Sequence, residues 1–247
     1  MPLPAFEYTL ADLTAPRLGL VALQSDETIE GDMRRLLPEN VDFFVSRVAS
    51  DVEVTSETLS HMEQHLSAAA GLFPAGAKFD AIGYGCTSGT AQIGPGKIAR
   101  KIKSSAIAAH VTEPLSSLVA ACQHLGLSRI AILSPYVAQV SARLQQTISK
   151  EGITTPVFGS FEVSTEATVV RIDANSIEAA AINLMQGADV QGLFLSCTNL
   201  RALGSIERLE QKLGKPVLSS NQVLAWHLMQ LAAVKAPKSA PGQLFKD

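Results

Sequence analysis

Phe79-Asp-Ala-Ile-Gly-Tyr-Gly-Cys-Thr87 is answered 111 residues later by Val190-Gln-Gly-Leu-Phe-Leu-Ser-Cys-Thr198. Each stretch is a short apolar run that ends in Cys-Thr. Runs of this length, bounded by glycine and small polar residues, read as buried strands. Working outward, Arg17-Leu-Gly-Leu-Val-Ala-Leu23 resembles Arg129-Ile-Ala-Ile-Leu133 at an offset of about 112. The runs Val41–Val48 and Val157–Phe161 fall near the same spacing. Three matches in one order point to a duplicated α/β unit. The period is far too long for a solenoid.

The remaining strand candidates are Ala106–Val111 and Pro216–Leu218. Helical patterns fill the gaps: Ser56 to Leu72, Pro114 to Leu125, Ser176 to Met185 and Ile206 to Leu213. Gly126, Gly187 and Gly214 stand where such helices stop. Strands alternating with helices predict parallel sheets. The expected fold is α/β, with two similar Rossmann-like halves. Each carries a four-stranded parallel sheet, and a pseudo-two-fold axis relates them. The first half covers 1–115, completed by the C-terminal helix 220–247, and the second covers 116–219.

Composition bounds the rest. The 247 residues are 47% hydrophobic and 17% charged, which is globular, and the net charge of −3 offers no basic face for nucleic acid. No run reaches the length of a membrane span. Met1 to Leu13 lacks Lys and Arg, so it does not read as a signal peptide, and Pro2 and Pro4 suggest an irregular arm. The expected compartment is the cytoplasm, where three cysteines are free thiols rather than disulfides. No nucleotide loop, zinc spacing or pyridoxal-phosphate lysine motif is present. The sequence implies no cofactor and no metal.

Ligands of open parallel sheets bind beyond the carboxyl ends of the strands. Cys86 and Cys197 both sit there, so two halves facing each other would bring both thiols to one cleft. Gly85 and Gly89 flank Cys86 and Thr87-Ser88, giving the backbone freedom to turn and approach a ligand. Backbone N–H groups and hydroxyls of Thr87, Ser88, Thr198 and Asn199 suit a carboxylate. Thiols beside such donors are expected to have lowered pKa values and to act as base or nucleophile. Cys122, on an apolar helix face, and Trp226 read as core. His61 and His65 read as a solvated helix face. His110 and His227 read as packing residues.

With Gly85-Cys-Thr-Ser-Gly-Thr90 in one half and Leu195-Ser-Cys-Thr-Asn-Leu200 in the other, the chain resembles the aspartate/glutamate racemase superfamily. The likeness is to the branch of maleate cis-trans isomerases, arylmalonate decarboxylases and racemase-like proteins of ectoine utilisation. The resemblance implies that one cysteine removes an α-proton and the other returns one, as in the racemases. In the maleate isomerases a cysteine adds to the alkene carbon. Arylmalonate decarboxylases generally keep only the second cysteine, and this chain has both.

The resemblance also carries substrate-binding positions. Leu23-Gln-Ser-Asp-Glu-Thr-Ile-Glu30 matches a loop with a substrate-binding Asn, where this chain has Asp26. The loop tyrosine is kept in Ser134-Pro-Tyr136, and a second Asn position falls at Glu166. Acidic residues there suit an ammonium better than a dianion, although Asp26 also reads as a helix cap. The expectation is a two-cysteine racemase or epimerase of an amino-acid-like substrate, in ectoine breakdown. The alternatives are a maleate-type isomerase with Cys86 as nucleophile, and a non-catalytic small-carboxylate binding protein. The expected partner is a small carboxylate or amino acid, with no nucleic acid and no membrane. A homodimer stays open.

Overall fold

A computed structural model describes residues 3 and 5–246. Met1, Pro2, Pro4 and Asp247 lie outside the described residues, and with them the two prolines read as marking an arm. The first half runs β1 (Arg17–Leu23), α1 (Ile29–Leu36), β2 (Asp42–Val48), α2 (Ser56–His61), a 3-10 turn (Met62–His65), α3 (Leu66–Ala70), β3 (Lys78–Gly85), α4 (Thr87–Ile93), α5 (Pro95–Lys103) and β4 (Ile107–Thr112). The second runs α6 (Pro114–Leu125), β5 (Arg129–Tyr136), α7 (Ala138–Lys150), β6 (Thr154–Val163), α8 (Glu166–Val169), α9 (Ala174–Met185), β7 (Gly192–Leu195), α10 (Ile206–Leu213), β8 (Val217–Ser219) and α11 (Ser220–Leu231).

The two sheets have the same order, β2-β1-β3-β4 and β6-β5-β7-β8, with every neighbouring pair parallel. The α/β fold of two four-stranded halves is therefore as the repeat predicts. Sequence and packing agree on why. β1, β5 and β7 are nearly continuous apolar runs because helices cover both faces of a parallel sheet. The outer strands β2, β4 and β6 are only partly covered and carry the polar positions.

All eight strand candidates are strands. The expected helix over Ser56–Leu72 changes its winding. It is α2, the 3-10 turn and α3, with Leu59, Met62, Leu66, Ala69 and Ala70 still buried. The turn seats the Met62 sulfur 4.0 Å from the Tyr84 hydroxyl. Helix α6 matches its expected bounds and ends at Gly126 in the left-handed region, φ 67°. That conformation is costly for a residue with a Cβ.

Helix α11 leaves β8 and lies over β3. A Cβ on Gly83 would come within 3.2 Å of Leu228 and 3.3 Å of Leu224. Cys122 and Trp226 pack in one apolar cluster with Leu118, Ile130 and Phe194, as expected. His110 is exposed, and His227 bonds Thr112 Oγ1 at 2.8 Å. His61 and His65 stand edge to face at the surface. Among the described residues, no helix is long and apolar enough to cross a membrane.

Candidate active site

The strand ends meet. Cys86 follows β3 and Cys197 follows β7, and both thiols are buried, with 5% and 4% of their surfaces exposed. The two loops are stitched together. Thr198 Oγ1 donates to the Gly85 carbonyl at 3.3 Å. Thr28 Oγ1 donates to the Asn199 carbonyl at 3.0 Å, and Glu27 N donates to Asn199 Oδ1 at 2.9 Å.

Cys86 is the N-cap of α4, and its Sγ accepts the Gly89 N–H at 3.1 Å. Only glycine fits at 89. A Cβ there would sit 2.6 Å from the Tyr84 hydroxyl and 2.9 Å from Cys86 Sγ. At Gly85 the missing Cβ leaves room for Ile29 of α1, whose Cδ1 would come within 2.7 Å.

Cys197 has different neighbours. Its Sγ accepts the Asn199 N–H at 3.3 Å and lies 3.0 Å from the Tyr136 hydroxyl. Tyr136 in turn donates to Glu166 Oε1 at 2.6 Å, and Asn199 Nδ2 donates to Glu166 Oε2 at 2.8 Å. A phenol has one proton. With that proton on Glu166, the Cys197 S–H points at the phenol oxygen. Thiol, phenol and carboxylate form one chain.

Asp26 lies at the same cleft. Its Oδ1 accepts the N–H groups of Thr28 and Ile29, both at 2.8 Å. This is the helix-capping role at the start of α1. Its Oδ2 is buried and has no hydrogen-bond partner among the described residues. One oxygen therefore serves the capping role weighed from the sequence, and the other is left unpaired among the described residues.

The electrostatics correct one expectation. Neither thiol is acidified. Burial pushes Cys86 up to about 12, against the Gly89 N–H, and the Glu166 charge adds to the rise. Burial and then Glu166 also raise Cys197 well above its usual value. The N–H donors are present, but desolvation outweighs them. Burial also raises Asp26 against the Ile29 and Thr28 N–H groups, and raises Glu166 against Tyr136 and Asn199.

The expected carboxylate donors are all buried here, and several are already engaged. Thr87 Oγ1 donates to Ser220 Oγ at 2.8 Å. Asn199 spends its side chain on Glu166 and Glu27. The first-turn N–H groups of Thr87 and Ser88 have no intrahelical partner. Sequence reading missed Ser220, Asn221 and Asp32. Asn221 Nδ2 donates to Asp32 Oδ2 at 2.8 Å and to the Thr198 carbonyl at 2.7 Å. The signal was available: Ser219-Ser220-Asn221 ends the fourth strand of its half, at the same edge as the cysteines. Among the described residues, no three His, Cys, Asp or Glu side chains cluster as metal ligands.

Comparison with known proteins agrees with this architecture. The chain is 24% identical over 244 residues to the maleate isomerase of Geobacillus stearothermophilus, covering 93% of this chain and 96% of that one. It is 29% identical over 126 residues to the arylmalonate decarboxylase of Bordetella bronchiseptica, about half of each chain (50% and 52%). The Nocardia farcinica maleate cis-trans isomerase, solved with a covalently bound succinylcysteine intermediate, superposes with a TM-score of 0.80 at 24% identity, covering 94% and 98% of the two chains. The model of the arylmalonate decarboxylase family matches residues 96–245. That match spans more than half of the sequence, so the chain belongs to the arylmalonate decarboxylase family.

Proposed function

We propose that this protein is a cofactor-independent isomerase that moves a proton at carbon between Cys197 and Cys86, on a small carboxylate bearing an amine. The observation that carries the reading is the chain Cys197–Tyr136–Glu166, with links of 3.0 and 2.6 Å. A buried thiol is a poor base until its proton leaves. Here the proton passes from Cys197 to Tyr136 as the Tyr136 proton passes to Glu166. The Cys197 thiolate then takes the α-proton from one face of the substrate. The Cys86 thiol gives its proton to the opposite face. The products are the inverted substrate, a Cys197 thiol, a Cys86 thiolate and a protonated Glu166. Before the next turnover Glu166 loses its proton to water and Cys86 takes one from water.

Charge favours an ammonium. Two thiols and two carboxylates are all pushed toward their neutral forms by burial. An arriving cation lowers all four pKa values, because an opposite charge stabilises each anion. A dianion raises them further. The substrate's own carboxylate meets the Thr87 and Ser88 N–H groups, and its ammonium meets Asp26 Oδ2. An ectoine-derived diamino acid fits that description.

The similarity to maleate isomerases over more than nine-tenths of the chain favours a second reading. In it Cys86 adds to an alkene carbon, and rotation precedes elimination. One NMR experiment in deuterated buffer separates the two. A panel of α-amino acids and diamino acids is scored for deuterium at Cα, and maleate for conversion to fumarate. Exchange without maleate turnover supports proton transfer. Maleate turnover without exchange in any amino acid sinks it.

A further inference from the structure

Ser220 is fully buried at the first position of α11, and it touches both Cys-Thr loops. Its Oγ accepts from Thr87 Oγ1 at 2.8 Å, and Thr87 follows Cys86. The same oxygen accepts the backbone N–H of Cys197 at 3.0 Å. A serine hydroxyl has two acceptor lone pairs and one proton. Both lone pairs are used. Among the described residues the proton has no acceptor, and the group is fully buried, where an unmade hydrogen bond is costly. The equivalent turn after β4 in the first half reads Thr112-Glu113-Pro114, with Glu113 capping α6 and no serine beside it. The feature belongs to the second half alone.

We infer that Ser220 is a substrate-binding residue whose hydroxyl donates to the substrate carboxylate, in place of Thr87, whose proton it accepts. Thr87 hands its donor to Ser220, and Ser220 passes an equivalent donor on into the cleft. The same oxygen fixes the Cys197 amide, so the carboxylate anchor and the second thiol loop share one atom. This rests on the cysteine-pair reading above, since the anion must lie between those thiols.

The test compares two alkylating reagents of similar size, iodoacetate and iodoacetamide, on the folded full-length protein. Mass spectrometry reads the labelling rate at Cys86 and Cys197. Only iodoacetate carries a carboxylate. A charge-assisted hydrogen bond corresponds to a factor of about ten or more. The ratio of iodoacetate to iodoacetamide labelling is therefore expected to fall about tenfold in Ser220→Ala and to survive within about twofold in Ser220→Thr. A merely structural Ser220 slows or speeds both reagents alike and leaves the ratio unchanged, which overturns the inference. So does a fall in Ser220→Thr equal to that in Ser220→Ala, or a wild type that neither reagent labels. If Ser220→Ala does not fold, Ser220→Cys, a much weaker donor, must show the fall. The cysteine-pair reading fails separately, by turnover persisting in Cys86→Ser or Cys197→Ser.

Discussion

The Tyr136 hydroxyl donates to Glu166 Oε1 at 2.6 Å while standing 3.0 Å from Cys197 Sγ, so one phenol joins a thiol to a carboxylate. Proton transfer by a placed side chain is worth about 10²–10⁴ in rate. Tyr136→Phe and Glu166→Gln should each lower kcat by about that factor, with a smaller change in KM. Because the three groups act as a unit, the double variant should be little worse than either single one. Steady-state kinetics on the substrate found by deuterium exchange checks this. Multiplied defects in the double variant would mean that the two residues act separately.

The cysteines separate by position. Cys86→Ala and Cys197→Ala should abolish turnover and leave the fold intact. Cys122→Ala should keep turnover near the wild-type rate and cost only about 1 kcal/mol of stability, the usual size of such a core change. Circular-dichroism melts beside the activity assay distinguish the two kinds of loss. Wild-type turnover in either cleft variant would refute the mechanism.

Asp26 should set the charge preference. Its Oδ2 has no partner among the described residues, so an ammonium is its natural mate. Asp26→Asn should weaken binding of a diamino acid by about 3–5 kcal/mol, less if the cleft is partly wet. Maleate binding should improve or appear, because a repulsion is removed. Isothermal titration of both ligands against both proteins decides. Equal effects on the two ligands would hand the lead to the maleate-type reading.

Asp32 should make the fold less stable as pH rises. Burial lifts its pKa from 3.8 to about 6, against its hydrogen bond from Asn221. A folded-state pKa above the unfolded one favours the protonated form in the native state. That advantage is whole below about pH 4 and lost as pH rises through about 6. At pH 7 the native state carries a penalty approaching about 3 kcal/mol relative to acid. Asp32→Asn keeps an acceptor for Asn221 and removes the charge. It should raise Tm by several degrees at pH 7.5 and hardly change it at pH 4.5. A Tm gain of the same size at both pH values would show that ionisation is not the cause.

Much of the fold was legible because a duplicated pattern states itself twice. Phe79–Thr87 and Val190–Thr198 each give a strand and a thiol at its end, and the spacing places both thiols at matching sites. What lay hidden was distance in the chain. Glu166 is bonded to Tyr136 and Asn199, about thirty residues to either side. Only folding reveals that it stands one phenol away from Cys197. Ser220 reads in sequence as part of a helix start, since Ser219 and Gln222 form a capping box around it. Thiol acidity misled for another reason. The N–H donors near Cys86 can be read from a glycine-rich turn, whereas desolvation depends on what closes over it. The break in the expected Ser56–Leu72 helix was also beyond pattern reading, because the apolar stripe passes through it unchanged.

The two thiols are wired differently. Cys197 has a phenol and a carboxylate behind it, and Cys86 has a glycine N–H at 3.1 Å with Tyr84 close by. Mirror-image substrates have equal free energies, so for a racemase the Haldane relation forces equal kcat/KM in the two directions. The unequal wiring cannot favour one enantiomer at equilibrium. It can appear only as a higher kcat matched by a proportionally higher KM for one hand. In the proposed mechanism the hand that loses its proton to Cys197 meets a thiol with a relay behind it, and the hand that loses its proton to Cys86 meets one without.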